Sequence, residues 1–114
     1  MVASHYSVLV VDDTPVIHKA VARLLAECGI EEHQSAFDGH QCLEMMRETH
    51  YNLVLLDLIM PGMDGIEVLG QMGKLDQQPA VILVSSVDRR TMRAAKDVRK
   101  GPLHFASRPS RQTL

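Results

Sequence analysis

The chain has 114 residues, 46% of them hydrophobic and 23% charged, the balance of one folded domain with no space within it for a separate catalytic one. With no Trp and only 4% aromatics, the core has to be aliphatic, and no apolar run approaches the roughly 20 residues that span a bilayer. Net charge is −2 but uneven: residues 1–87 hold twelve acids to four bases, whereas 88–114 hold eight bases to two acids.

Residues 1–7 carry neither a basic start nor a long apolar stretch, so no secretion signal is expected and the cytoplasm is the expected compartment. Residues 6–11 form a short Val-rich run that ends in Asp12 and Asp13, the pattern of a strand buried on both faces. Thr14 stands at an N-cap with Pro15 at the first helical position, and apolar residues then recur at helical spacing up to Cys28, with Gly29 as the stop. A weaker strand is expected over 32–37. Asp38 with Gln41 has the spacing of a capping box and opens a helix through about residue 48.

Residues 52–56 are a second aliphatic run, again ending in an acid, Asp57. The loop after it contains Pro61-Gly62, a turn signal, and Asp64 with Glu67 repeats the capping-box spacing ahead of a helix ending near Gly73. After a connector at 77–79, residues 80–84 form a third buried run, closed by Ser85 and Ser86. A helix is expected over 88–100, with Met92, Ala95 and Val98 inward. Arg89, Arg90, Arg93, Lys96, Arg99 and Lys100 are read as its solvated face, since no aromatics interleave them as a nucleic-acid surface would require. Residues 103–106 are a last short strand before Arg108 and Pro109. Strands alternating with helices imply an α/β fold with right-handed crossovers and a parallel sheet covered on both faces.

In such a sheet the site lies beyond the carboxyl ends of the strands. There stand Asp12, Asp13, Asp57, Ser85, Ser86 and Arg108. Like charges about 4 Å apart repel by roughly 4 kcal/mol at an effective dielectric of 20, so converging carboxylates call for a cation. Oxygen donors without His or Cys favour Mg²⁺, or Mn²⁺, over zinc. A carboxylate beside such an ion, a hydroxyl and a fixed positive charge is equipped to accept a phosphoryl group. Cys28 and Cys42 are expected to be reduced, buried and inert; His18, His33, His40, His50 and His104 to be surface or half-buried; Met45, Met46, Met60, Met63, Met72 and Met92 to fill core or loop.

Four segments at these positions, Val-Leu-Val-Val-Asp-Asp at 8–13, Asp-Leu-Ile-Met-Pro-Gly-Met-Asp-Gly at 57–65, Val-Ile-Leu-Val-Ser-Ser at 81–86 and Phe-Ala-Ser-Arg-Pro at 105–109, resemble the receiver domain of bacterial response regulators. The resemblance runs over 8–109 and implies a flavodoxin-like, doubly wound sheet of five parallel strands in the order 2-1-3-4-5, with residues 1–114 as a single receiver domain. It implies a CheY-like switch whose Asp57 is the phosphoacceptor, phosphorylated by a histidine kinase or phosphotransfer protein and signalling to an output domain or downstream protein. It assigns Mg²⁺ to Asp13, Asp12, Asp57 and the main-chain carbonyl of Ile59, the phosphoryl oxygen to Ser85 or Ser86, and the aromatic switch position to Phe105.

Two departures from the family pattern stand out. Arg108 replaces the usual Lys, a wider five-donor fork at a tight phosphate site. After Pro109 only five residues remain where a fifth helix would stand, so the sheet is expected to lack cover and the chain to associate as a homodimer. Two alternatives compete with the switch. A metal-dependent phosphohydrolase would place an Asp-x-Asp nucleophile after the first strand, where here the acids are adjacent. A pseudo-receiver would bind partners without being phosphorylated, a reading that Arg108 and the short end favour and the intact acids oppose. The expectation is a signalling switch with no turnover beyond its own phosphorylation and dephosphorylation, with no membrane partner and no nucleic-acid contact through this domain.

Overall fold

A computed structural model of the chain describes residues 7–84, 89–99 and 101–106. The aliphatic runs become strands β1 (Val8–Val11), β3 (Leu53–Leu56), β4 (Ala80–Val84) and β5 (Leu103–Ala106), with a three-residue β2 (Gln34–Ala36). Helices α1 (Pro15–Glu27), α2 (Gly39–Glu48), α3 (Gly65–Met72) and α4 (Arg89–Val98) alternate with them. All strand pairings are parallel, in the order β2-β1-β3-β4-β5. Expected elements are therefore present, with shorter bounds for the first, second and third strands, while residues 88 and 100, the expected ends of the fourth helix, lie outside the described residues. Leu114 and the other residues after 106, on which the short-fifth-helix expectation falls, lie outside the described residues.

Parity along the strands sorts side chains onto two faces. Leu9, Val11, Val54, Leu56, Val81 and Leu83 join the inward residues of α2, α3 and α4 in the larger core, while Val8 and Val10 pack with Ile17, Val21 and Leu25 of α1. All four β1 residues are buried, which is why the run shows no alternation of polarity. Burying a Leu or Val side chain contributes about 1.5–3 kcal/mol, so the fold rests chiefly on β1, β3 and β4 and the helices over them.

Helix ends follow local chemistry. Asp38 Oδ1 accepts from the Gln41 N–H at 2.7 Å and Asp64 Oδ1 from the Glu67 N–H at 2.9 Å. Gln41 returns its side-chain oxygen to the Phe37 N–H, one residue ahead of the cap. At the other end of α1, Gly29 has φ +85°, its N–H reaches Ala26 and the Ile30 N–H reaches Leu25, a Schellman closure that a side chain at 29 would strain.

Three polar or reactive side chains depart from expectation. Arg99, expected on the solvated face, is buried at 8% exposure, because its guanidinium donates to Gln78 Oε1 at 3.0 Å and to the carbonyls of Pro79 and Pro102. Burial lowers the Arg99 pKa from its usual value. Arg89, Arg90, Arg93 and Lys96 are exposed as expected, and Lys100 is outside the described residues. His18, expected at or near the surface, is buried at 7% exposure on the inner side of α1. Cys28, expected to be buried, is exposed because it closes the last turn of α1, whereas Cys42 is buried.

Candidate functional site

The site is a product of strand register. Val11 pairs with Ala36 on one side and with Leu56 on the other, so Asp12 and Asp57 are the first residues past two level strand ends. The ladder extends one step further: the Asp12 N–H donates to the Ala36 carbonyl at 3.1 Å and the Asp57 N–H to the Val11 carbonyl at 2.9 Å. Both acids are buried, at 2% and 1% exposure, while Asp13 turns outward and is exposed. One carboxylate oxygen from each of Asp12, Asp13 and Asp57 lies within 4.8 Å of the others.

Short loops aim these acids. The Thr14 N–H donates to Asp12 Oδ1 at 2.8 Å and the Ile59 N–H to Asp57 Oδ1 at 3.3 Å, each an Asp holding the backbone two residues on. Ile59 itself is 70% exposed between buried Leu58 and Met60. The loop 58–64 then folds back on Asp57: Gly62 takes φ +80°, and the Gly65 N–H donates to the Leu58 carbonyl at 2.7 Å. The Gly at 65 in the 57–65 segment is thus a close-approach residue, next to the peptide that carries Asp57.

Phe105, the expected switch aromatic, lies on β5 half-buried against the larger core, with the Lys96 ammonium 5.9 Å from its ring centroid. Ser85, Ser86 and Arg108, the expected phosphate-side residues, fall outside the described residues. Asp12, Asp13 and Asp57 are brought together. A residue not expected here, His18, reaches the site from α1: its Nε2 lies 2.7 Å from the Asp12 carbonyl oxygen, and its ring rests on Phe37 with centroids 4.3 Å apart. Its signal was helical spacing, since 18, 21 and 25 share the face that carries Val21 and Leu25.

A cleft of about 340 Å³ lies elsewhere, at the opposite end of β3, between the last turn of α2 and the segment that follows α3. Its charges are mixed, Arg47 and Lys74 with Glu48 and Asp76, and do not converge on one chemistry as the three carboxylates do.

With oxygen donors alone, clustered beside a buried carboxylate, the geometry suits a hard divalent cation. Residues 8–110 match the family model for the response regulator receiver domain. Chemotaxis protein CheY of Bacillus subtilis is 31% identical over 87 residues, covering 76% of this chain and 72% of that protein. A protein-glutamate methylesterase/protein-glutamine glutaminase of Myxococcus xanthus is 33% identical over 110 residues, covering 96% of this chain but 32% of that protein. The chain thus spans about a third or less of the methylesterase relatives it matches. Among solved structures, response regulator TrrA from Thermotoga maritima, in complex with Mg²⁺ and BeF, aligns with TM-score 0.78 and 27% identity over 94% of this chain and 90% of that one. A family match spanning nearly the whole chain, on a five-stranded sheet in the order expected of it, places this protein in the response regulator receiver domain family of two-component signalling, with a CheY-like, flavodoxin-like fold.

Proposed function

We propose that residues 1–114 act as one phosphoacceptor receiver domain in the cytoplasm, in which Asp57 takes a phosphoryl group from a histidine kinase or phosphotransfer protein. The observation that carries this reading is the convergence of Asp12, Asp13 and Asp57 within 4.8 Å. Three carboxylates so close, each pair repelling by about 3–4 kcal/mol at an effective dielectric of 20, are poorly suited to a purely structural role and well suited to hold Mg²⁺ or Mn²⁺. The resemblance to a receiver solved with Mg²⁺ and BeF supports the same cation.

In the proposed reaction an Asp57 carboxylate oxygen attacks phosphorus, the bond from phosphorus to the donor's imidazole nitrogen breaks, and that nitrogen leaves with the electron pair. The product is an acyl phosphate on Asp57. A bound cation supplies charge neutralisation at the phosphoryl oxygens. Asp12, Asp13, Asp57 and the Ile59 carbonyl would hold it, and the Ile59 N–H keeps the Asp57 carboxylate oriented. Ser85 or Ser86 and Arg108 would bind the remaining phosphoryl oxygens, and Phe105 would respond by moving inward, altering contacts with an output domain or downstream protein. The intact acid cluster favours this over the pseudo-receiver reading. Chemistry of the methylesterase kind is not transferred to this chain.

Intact-mass measurement with a small phosphoramidate donor tests the proposal. One added phosphoryl group is expected with Mg²⁺, and none after chelation or in Asp57→Asn. An unmodified wild type, or an equal adduct in Asp57→Asn, rejects it.

A further inference from the structure

A histidine buried beside the acids needs a reason. His18 is 7% exposed, and its Nδ1 is buried with no hydrogen-bond partner among the described residues. A leucine would fill such a space without burying a polar atom that lacks a partner, which costs about 1–3 kcal/mol. What the ring provides is its other nitrogen. A carbonyl oxygen only accepts, so at 2.7 Å from the Asp12 carbonyl Nε2 must carry the hydrogen and donate it.

That bond completes the restraint on Asp12. Its N–H donates to Ala36, its Oδ1 accepts from Thr14, and its carbonyl is held by His18. The carbonyl belongs to the peptide plane joining Asp12 to Asp13, so fixing it fixes the direction in which the exposed Asp13 leaves β1. Phe37, whose ring lies against the imidazole at 4.3 Å between centroids and tilted by 38°, packs on one side of it and ties the loop after β2 to the same point.

We propose that His18 is a positioning residue for the cation site, acting through the Asp12–Asp13 peptide so that both carboxylates face Asp57. This rests on the cation-site reading given above. Its role is independent of the phosphoryl donor and shows in the bare affinity for the ion.

The test is a Mn²⁺ titration of the whole chain, followed by the electron paramagnetic resonance of the free aquo ion, beside thermal midpoints in chelator. His18→Phe keeps a ring against Phe37 and removes the donor; it should weaken Mn²⁺ binding roughly ten-fold, as loss of a partner that orients a ligand does. His18→Gln, whose amide nitrogen can reach the same carbonyl, should bind Mn²⁺ close to wild type. Val21→Ala, on the same face of α1, should lower the midpoint and leave Mn²⁺ affinity alone. If the Phe form does not fold, His18→Met serves as the donorless variant. Undiminished binding without the donor, no rescue by Gln, or an equal loss in Val21→Ala overturns the positioning role alone. A folded wild type that binds no Mn²⁺ overturns the cation-site reading and this inference together.

Discussion

Gly65 approaches Leu58 so closely that a Cβ on Gly65 would lie 2.7 Å from the Leu58 Cα and 2.9 Å from the Asp57 carbonyl oxygen. Both obstacles are backbone, which cannot swing aside as a long side chain could. Gly65→Ala should therefore displace the peptide after Asp57 and cost about 2 kcal/mol, in the range of overpacking a tight interior. Urea unfolding should show a lower midpoint at unchanged slope. Gly70→Ala, where nothing lies within 4 Å of the added carbon, is the control and should be neutral or slightly stabilising.

Gln77 should be costlier than its place in a connector suggests. It is buried at 6% exposure, its Nε2 donates to the carbonyls of Met46 and Thr49, and its Oε1 accepts from the Tyr51 N–H at 2.9 Å. Gln77→Leu leaves three main-chain groups at the end of α2 and the approach to β3 without this partner. About 2–4 kcal/mol of stability should be lost, since each buried group stranded in this way costs about 1–3 kcal/mol and some will be rescued by water. A loss below that of an exposed substitution such as Gln71→Leu would refute the clamp.

The two thiols should separate cleanly. Burial, with a smaller contribution from Asp38, pushes the Cys42 thiol from its usual 9.0 up to about 12, whereas Cys28 is exposed. A thiol reagent at neutral pH should label Cys28 in the folded chain and Cys42 only on unfolding. Because the folded pKa is raised, the unfolded chain loses its proton first as pH rises. Stability from this group is thus complete below pH 9 and falls between about 9 and 12. Chemical denaturation across that range should show the slope in wild type and a shallower one in Cys42→Ala.

In the proposed function Arg108 would supply the positive charge at the phosphoryl group, on a broader and less compact group than the Lys that the resemblance leads one to expect. Arg108→Lys should raise the yield or lifetime of the phosphorylated form, measured by intact mass over time after donor removal. Equal behaviour of Arg108→Lys and wild type, with Arg108→Ala inactive, would show that the guanidinium already fills the position.

Strand positions and the acid cluster were legible because buried parallel strands leave a plain mark, an aliphatic run cut off by an acid, as in Val11-Asp12 and Leu56-Asp57. Strand β2 left a fainter one: Gln34 is exposed and Ser35 half-buried, so only Ala36 signals an interior. Arg99 and His18, expected outside, and Gln77, for which the connector carried no sign of burial, share one reason for lying inside. Each is buried to satisfy main-chain carbonyls, and where those carbonyls lie depends on how distant segments pack. Spacing held part of the answer, since Arg99, just past the end of α4, follows Ala95 by four residues and donates its N–H to the Ala95 carbonyl, and His18 precedes Val21 by three. Charge and polarity alone point such residues outward, against that spacing.

Helix α4 is held differently from its neighbours. Of its ten residues Ala95 alone is buried, while Lys96 leans on the Phe105 ring from outside. An element with so little apolar surface to give up opens at small free-energy cost, so its amide protons should exchange with solvent by local unfolding long before those of α1 or β3. Among the described helices α4 is accordingly the cheapest to reshape: it can shift or unwind while the buried central strands keep their packing.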